Sequence, residues 1–206
     1  MERGLVTERF TDRGWQECGL TADMLFDGVR STYGTLDMID AKMLESDLPR
    51  LSGLVELANL SSVIGNLLAA RIVRASAGMF KRAGPHKYQD LRSNAPGSPH
   101  VEIKMSLEDN APKGHLPKEG HYLTCRYILG DTDGSYERGR RSDVAWIWEI
   151  RFGYLEERHF NSSNTPGDSG KTAVVNPEGM KRLRRLYFDA ALCPFGPKSP
   201  YWKSKR

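Results

Sequence analysis

The sequence predicts an α/β fold, a central mixed β-sheet flanked by helices, because two different spacings of apolar residues occur along the chain. Between Leu51 and Phe80 apolar residues recur at steps of three and four, which is typical of one amphipathic helix or a broken pair. Residues 101–105, 121–129 and 143–154 instead alternate, as half-buried strands do. The apolar face of the second would carry Leu123, Cys125, Tyr127 and Leu129, and that of the third Val144, Trp146, Trp148, Ile150 and Phe152. Residues 173–175 predict a further short strand. Helical and strand patterns therefore mix along the chain.

The chain has 206 residues, a length that suits a single domain with a real core. We expect one domain over 1–206, with a region of turns and short helical runs at 1–46, a core at 47–192 and a basic arm at 193–206. Thr21 and Ser46 are candidate N-caps in the first region.

A second helix is predicted to start at Pro177, since proline fits the first position of a helix. Its apolar side would carry Met180, Leu183, Leu186 and Tyr187. The other side would carry four cations that could contact a nucleic-acid backbone or lie in solvent: Lys181, Arg182, Arg184 and Arg185.

Composition limits the possible function. The net charge is +4, which suggests an anionic partner without requiring one. The three cysteines are odd in number and widely spaced, so they predict neither a disulfide framework nor a zinc site. Polar residues interrupt the longest apolar stretch, at 54–72, and no apolar signal segment starts the chain. We expect a cytoplasmic protein without a membrane span.

Residues 86–108 contain the residues that predict a catalytic site. Along the strand that starts at Val101, Glu102 and Lys104 share one face while the apolar residues share the other. Asp90 stands before the turn-rich residues 94–99, which could fold the chain back and bring Asp90 beside Glu102.

Two adjacent carboxylates repel each other unless a cation joins them, and Mg²⁺ prefers such oxygen ligands. Asp90 and Glu102 are therefore candidate metal ligands, and Lys104 would face the same phosphate. A metal there would stabilise charge at phosphorus and lower the pKa of a bound water, which predicts phosphodiester hydrolysis. The alternative is a solvated ion pair between Glu102 and Lys104.

Asp90, the spacer and Glu102-Ile103-Lys104 resemble the motif of the PD-(D/E)xK nuclease superfamily, and the chain is similar to type II restriction endonucleases within it. The family pattern has proline before the aspartate, where this chain has Gln89. The resemblance spans about residues 50 to 190.

The resemblance implies a restriction-endonuclease-like core, Mg²⁺-dependent and sequence-specific cleavage of double-stranded DNA, a homodimer, and a bacterial or phage origin. Two alternatives stay open. One is a structure-selective repair, junction or phage nuclease of the same superfamily, and the other is a DNA-binding protein without catalysis.

Glu56 is a further candidate catalytic residue. It extends the helical stripe of Leu60 and Leu67 backwards, and a carboxylate on a core-facing stripe is costly without a partner. Several members of the superfamily carry an additional acidic residue on the helix before the first motif strand. The resemblance therefore implies that Glu56 is a supplementary metal ligand or orients a water. Pairing with Arg50 is the alternative.

Candidate DNA contacts lie in turn-rich segments, where polar side chains reach phosphates or base edges. They are Lys87, Lys113, His115 and Lys118 around the motif strand, Arg138, Arg140 and Arg141 between the next two strands, and Asn164, Asp168, Ser169 and Lys171 in the loop 161–172. Plain surface turns are the alternative. The Gly-Lys-Thr of that loop has Thr165 where a phosphate-binding loop needs glycine, so we expect no ATP binding.

Overall fold

A computed structural model describes residues 3–12, 15, 17–84, 87–114, 118–163, 172–196, 198–199 and 201. It confirms the predicted α/β fold with a mixed central sheet flanked by helices. Among the described residues, no helix has the length and apolar character needed to cross a membrane.

The described helices are α1 Ala22–Glu45, α2 Leu51–Leu54, α3 Leu57–Ala75 and α4 Pro177–Arg182, with 3-10 turns at Thr7–Arg9 and Glu157–His159. The strands are β1 Phe80–Arg82, β2 Leu91–Ser93, β3 Val101–Leu107, β4 Lys113–Gly114, β5 Gly120–Gly130, β6 Val144–Leu155, β7 Phe160–Ser163, β8 Thr172–Val175 and β9 Arg184–Phe188.

Six of these strands form the large sheet, in the order β1-β2-β3-β5-β6-β9. Only β3 and β5 pair in parallel, and the other neighbours are antiparallel. The remaining strands form a small sheet in the order β4-β8-β7. Because β4 contacts β3 and α4 contacts β6, these elements lie beside the large sheet.

The main core lies between the large sheet and the pair α1 and α3. Val101, Ile103 and Met105 of β3 belong to it, which confirms the predicted apolar face of that strand. The predicted inward residues of β5 also belong to it: Leu123, Cys125, Tyr127 and Leu129. The opposite face of the large sheet carries polar side chains, and we call it the polar face.

Helix α1 replaces the short helical runs predicted for residues 1–46. It has 24 residues and begins after Thr21, whose hydroxyl accepts a hydrogen bond from the Met24 amide at 3.1 Å. Thr21 is thus an N-cap as predicted, whereas Ser46 caps the C-terminal end of the helix. Packing on α3 stabilises the long helix, because its buried side has few polar interruptions.

Strand β6 does not keep the single apolar face predicted for it. Glu149 pairs with Arg126, but the next pair is Ile147 with Tyr127, so Trp148 is an extra residue in a β-bulge. The bulge reverses the alternation, and the main core receives Ile147 and Ile150. Trp148 packs in a separate cluster on the other side.

The predicted C-terminal helix ends early. Helix α4 stops at Arg182, and Leu186 and Tyr187 belong to β9 at the edge of the large sheet. The following segment is also not a free arm as far as it is described. The rings of Phe195 and Tyr201 pack against Trp148, with centroids 6.0 and 5.8 Å away.

Candidate active site

The hairpin of β2 and β3 brings the motif together. Leu91 pairs with Val101 in antiparallel register, so the next pair along the strands is Asp90 with Glu102. The turn-rich spacer reverses the chain as predicted, with Gly97 at φ 77°, a conformation that suits glycine. Asp90 and Glu102 therefore lie side by side at the N-terminal end of β3.

Glu102 is held on the polar face by two contacts. Its side chain is largely buried, and Oε2 accepts a hydrogen bond from the Gln89 backbone N–H at 2.9 Å. Oε1 lies 2.5 Å from the Lys104 ammonium, two residues further along the same face. Charge-assisted contacts of this length orient a carboxylate firmly. The alternative interpretation of these residues, an ion pair between Glu102 and Lys104, is therefore present in the structure, but the pair is partly buried and not fully solvated.

Asp90 is oriented by the same strand. Its Oδ2 accepts a hydrogen bond from the Ile103 backbone N–H at 2.9 Å. Burial raises the pKa of the Asp90 carboxyl, and the neighbouring Glu102 carboxylate raises this pKa further. The hydrogen bond from the Ile103 N–H, and then the charges of Lys104 and Arg82, oppose the increase without cancelling it. A divalent cation between the carboxylates would remove the repulsion that Glu102 contributes.

Gln89 has a left-handed backbone, with φ 69°. Proline fixes φ near −65° and has no N–H, so it could neither adopt this conformation nor donate to Glu102. The residue before Asp90 thus differs from the pattern of the nuclease superfamily that the sequence resembles, in conformation as well as in type.

Two tyrosines close one end of the site. Tyr122 pairs with Glu102 across β3 and β5, and its hydroxyl donates to the Lys118 carbonyl at 2.7 Å. The Tyr88 hydroxyl lies 3.2 Å from that of Tyr122. Sequence patterns did not indicate either residue, because the neighbour of Glu102 depends on the pairing of β3 with β5. The proximity of Tyr88 to Asp90 along the chain was the one available signal.

The small sheet closes another side. A Cβ at Gly114 of β4 would lie 3.3 Å from Cε of Lys104, so the backbone of β4 runs directly against this lysine. Glycine leaves the space that the Lys104 side chain occupies. The site therefore lies between the polar face and β4.

The donor set fits Mg²⁺. Asp90 and Glu102 provide hard carboxylate oxygens, and Mg²⁺ is commonly bound by one or two carboxylates together with waters and substrate phosphates. Within the described part of the chain, no group of three or more His, Cys, Asp or Glu residues is placed to hold a metal. Asp90 and Glu102 are the residues that would hold such a metal here, with substrate oxygens and waters as its other ligands.

The structure does not bring Glu56 to this site, which corrects its predicted place on a core-facing stripe. Glu56 is an exposed N-cap of α3. Ser61, just after it, hydrogen-bonds to Tyr127, which pairs with the last residue of β3. Glu56 thus lies on the helix side and near the opposite end of β3. Arg50 does not explain it either, because Arg50 pairs with Asp40 and Asp143.

The predicted DNA contacts that the structure describes lie in two separate places. The described lysines near the site are exposed: Lys87, Lys113 and Lys118. Lys87 precedes Tyr88, the Lys118 ammonium lies 4.7 Å from the centre of the Tyr88 ring, and Lys113 precedes the Gly114 that contacts Lys104. These three cations remain candidate contacts.

The predicted arginines lie at the other end of β3 and make internal contacts. Arg141 forms a two-point ion pair with Glu108, at 2.7 and 2.9 Å, directly after the end of β3. Arg138 donates to the Pro194 and Phe195 carbonyls, and Arg140 pairs with Asp131 and Glu137. Six residues of strand from Glu102 to Glu108 span about 20 Å, so this group is remote from the carboxylates.

The remaining predicted contacts lie outside the described residues: His115, Asn164, Asp168, Ser169 and Lys171. The strands that lead into the loop are described. Ser163 pairs with Thr172, and the next residue, Ala173, pairs with Gly114. Both ends of this loop therefore start close to the backbone that contacts Lys104.

No known protein-family model matches this chain, and no curated protein sequence matches it significantly.

Proposed function

We propose that this protein is a Mg²⁺-dependent endonuclease that hydrolyses phosphodiester bonds of double-stranded DNA at specific sequences, in the manner of a type II restriction endonuclease. The observation that carries the proposal is the register of β2 and β3: Leu91 pairs with Val101, which places Asp90 opposite Glu102 and leaves Lys104 on the same face as Glu102. Two partly buried carboxylates beside a lysine match the donor set that metal-dependent phosphodiester hydrolysis needs.

Each side chain has a role that follows from its surroundings. Asp90 and Glu102 would hold the metal, and two backbone N–H groups fix their orientation. Bound Mg²⁺ would stabilise negative charge on the phosphate and lower the pKa of a coordinated water. The Lys104 ammonium lies against Glu102, where it would orient the water and balance the charge of the phosphate.

Sequence recognition and assembly belong to the same proposal. The loop that follows Ser163 starts near Lys104, so its side chains would reach the base edges beside the cleaved bond. A two-fold homodimer would place one site on each strand of a palindromic sequence.

The test is digestion of a long unmethylated DNA by wild-type protein and by Lys104→Ala, with Mg²⁺ or with EDTA. We expect discrete fragments from the wild type in Mg²⁺ only, and a loss of at least about 10²-fold in rate for Lys104→Ala, because one preorganised charge is removed. Lys42→Ala, which removes an exposed lysine of α1, is the matched control and should cut normally.

Binding separates the alternatives. Lys104→Ala should still retain DNA in a gel-shift assay, and Asp90→Asn should lose Mg²⁺ binding by calorimetry. A smear of products in place of discrete bands would favour a structure-selective nuclease. DNA binding without cleavage of several unrelated DNAs would contradict the enzymatic proposal and favour a DNA-binding protein.

A further inference from the structure

A group of three basic residues lies beside the two carboxylates on the polar face. Lys81 of β1 pairs with Arg92 of β2, and continuing the register of β2 and β3 places His100 opposite Arg92 on the other side. Phe80 and Leu91 point into the main core, so alternation turns Lys81 and Arg92 to the polar face. We call Lys81, Arg92 and His100 the basic strip.

Arg92 is incompletely satisfied within the protein. Its Nε is buried and has no hydrogen-bond partner among the described residues. Buried donors of folded proteins nearly always have partners, and leaving one unmade is costly. Nε itself is out of reach of a ligand, but the rest of this partly exposed guanidinium also has no hydrogen-bond partner among the described residues, which leaves its terminal nitrogens available to an external acceptor.

Lys81 places a second positive charge directly opposite Arg92 on the neighbouring strand. Like charges directly opposite on neighbouring strands destabilise a sheet. Neither Lys81 nor Arg92 has an ion-pair partner among the described residues, whereas the neighbouring Arg82 donates to Asn66 on the helix side. An anion bound between the two cations would remove the repulsion.

His100 is oriented to donate as well. Its Nδ1 accepts a hydrogen bond from the Ser93 backbone N–H at 3.0 Å. A neutral imidazole with an accepting Nδ1 carries its proton on Nε2, so that nitrogen is a donor. His100 is exposed, and the donor is therefore accessible to a ligand.

The distance from the basic strip to the candidate active site matches the spacing of phosphates along a DNA strand. Arg92 follows Asp90 by two residues, which corresponds to about 7 Å along a strand. Adjacent phosphates on one DNA strand have a similar separation. Arginine binds phosphate through two parallel hydrogen bonds, which suits a fixed neighbouring phosphate.

We propose that the basic strip binds the DNA phosphate next to the one that is cleaved. This inference rests on the proposed function for the identity of the cleaved phosphate, and it adds residues that sequence patterns did not indicate. In this arrangement the strip sets the register of the backbone, and the carboxylates and Lys104 act on the adjacent phosphodiester.

The experiment measures binding apart from catalysis. A short fluorescein-labelled DNA duplex is titrated with protein in EDTA at several salt concentrations, and anisotropy gives the dissociation constant. The variants are Lys81→Ala/Arg92→Gln and Lys81→Glu, with thermal unfolding as a check of folding. Arg30→Ala/Lys42→Ala on α1 removes the same charge from the other side of the sheet and is the matched control.

We expect the double variant to bind tens of times more weakly at about 0.1 M salt, and its slope of log affinity against log salt to decrease by about two, as for two lost phosphate contacts. The control should keep both the affinity and the slope nearly unchanged. Lys81→Glu, an exposed change that should not impair folding, should also weaken binding.

The outcomes distinguish this inference from the proposed function. Unchanged binding and slope in folded strip variants would overturn the basic strip, even if the wild type cuts DNA. Weaker binding by the strip variants with no cleavage by the wild type would support the strip as a DNA-phosphate site, but would contradict the nuclease and with it the position of the strip beside a cleaved phosphate. A wild type that binds no duplex would overturn both.

Discussion

At the scale of single residues, the conformation of Gln89 decides how Glu102 is held. A non-glycine residue with positive φ costs free energy, and such strain is kept where the surroundings require it. Here the left-handed turn directs the Gln89 N–H to Glu102 and places Asp90 at the start of β2. The residue identity predicted a departure from the family motif, but its conformation and its hydrogen bond appear only in the structure.

Substitutions at Gln89 should separate conformation from side-chain chemistry. Gln89→Gly keeps the N–H and adopts positive φ freely, so we expect normal cleavage and a stability change within about 1 kcal/mol. Gln89→Pro loses the N–H and the conformation, and we expect cleavage to fall by at least about tenfold with weaker Mg²⁺ binding. Single-turnover kinetics and calorimetry measure the two effects. Equal activity of both variants would show that the turn does not position Glu102.

At the scale of elements, the long helix α1 depends on its N-cap and its packing. Thr21 satisfies the Met24 N–H, and a stripe of buried residues along the helix, including Leu25, Val29 and Leu36, packs into the main core. A cap residue is visible in the sequence, whereas the continuous helix depends on contacts with α3, which are long-range. This explains why short helical runs were predicted for this segment.

Removal of the cap should affect stability alone. Thr21→Ala leaves the Met24 N–H without its partner, and we expect the free energy of unfolding to fall by about 1 kcal/mol. Thr21→Ser keeps the hydroxyl and should change the free energy of unfolding by only a few tenths of that amount. Urea unfolding checks both variants. Cleavage at temperatures well below the unfolding midpoint should be unaffected, and a loss of activity in folded Thr21→Ala would contradict this prediction.

At the scale of the whole molecule, a buried ionic cluster joins three strands to the C-terminal segment. Glu149 of β6 is 1 % exposed and pairs with Arg126, Arg151 and Arg185, and it accepts a hydrogen bond from Tyr201. Burial alone would raise the pKa of Glu149, but the arginines and Tyr201 outweigh burial and lower it. The cluster fixes β9 and the last described residues against the sheet.

Neutralising Glu149 should destabilise the whole fold. Glu149→Gln leaves three guanidinium groups without their common carboxylate, and breaking a buried pair costs about 3–5 kcal/mol. Glu137→Gln, at an exposed surface pair with Arg140, is the matched control and should change little. Chemical unfolding measures both. A small effect of Glu149→Gln would mean that the cluster contributes little to stability.

The same carboxylate predicts an acid dependence. Because the folded pKa of Glu149 is below its unfolded value, its stabilisation is fully present above the ordinary glutamate pKa of about 4.3. It is lost as the pH falls below that value and through the folded pKa. The difference in unfolding free energy between wild type and Glu149→Gln should thus be constant from about pH 6 to 5 and shrink in stronger acid. A difference that grows in acid would contradict the assignment.

The sequence by itself determined the local features of this protein. It predicted helical structure over α2 and α3, as one helix or a broken pair, together with the strands β3, β5 and β8, the inward faces of β3 and β5, and the return of Asp90 to Glu102. These follow from apolar periodicity and turn residues, which act over a few neighbouring positions.

Only the tertiary structure decided which distant groups meet. The parallel pairing of β3 with β5 places Tyr122 beside Glu102, the bulge at Trp148 reverses the faces of β6, and the early end of α4 allows β9 to join the sheet. The tertiary structure also places Glu56 and the Arg138–Arg141 group away from the candidate active site. Such contacts depend on strand register and on burial between segments far apart in the chain, and no local pattern specifies them.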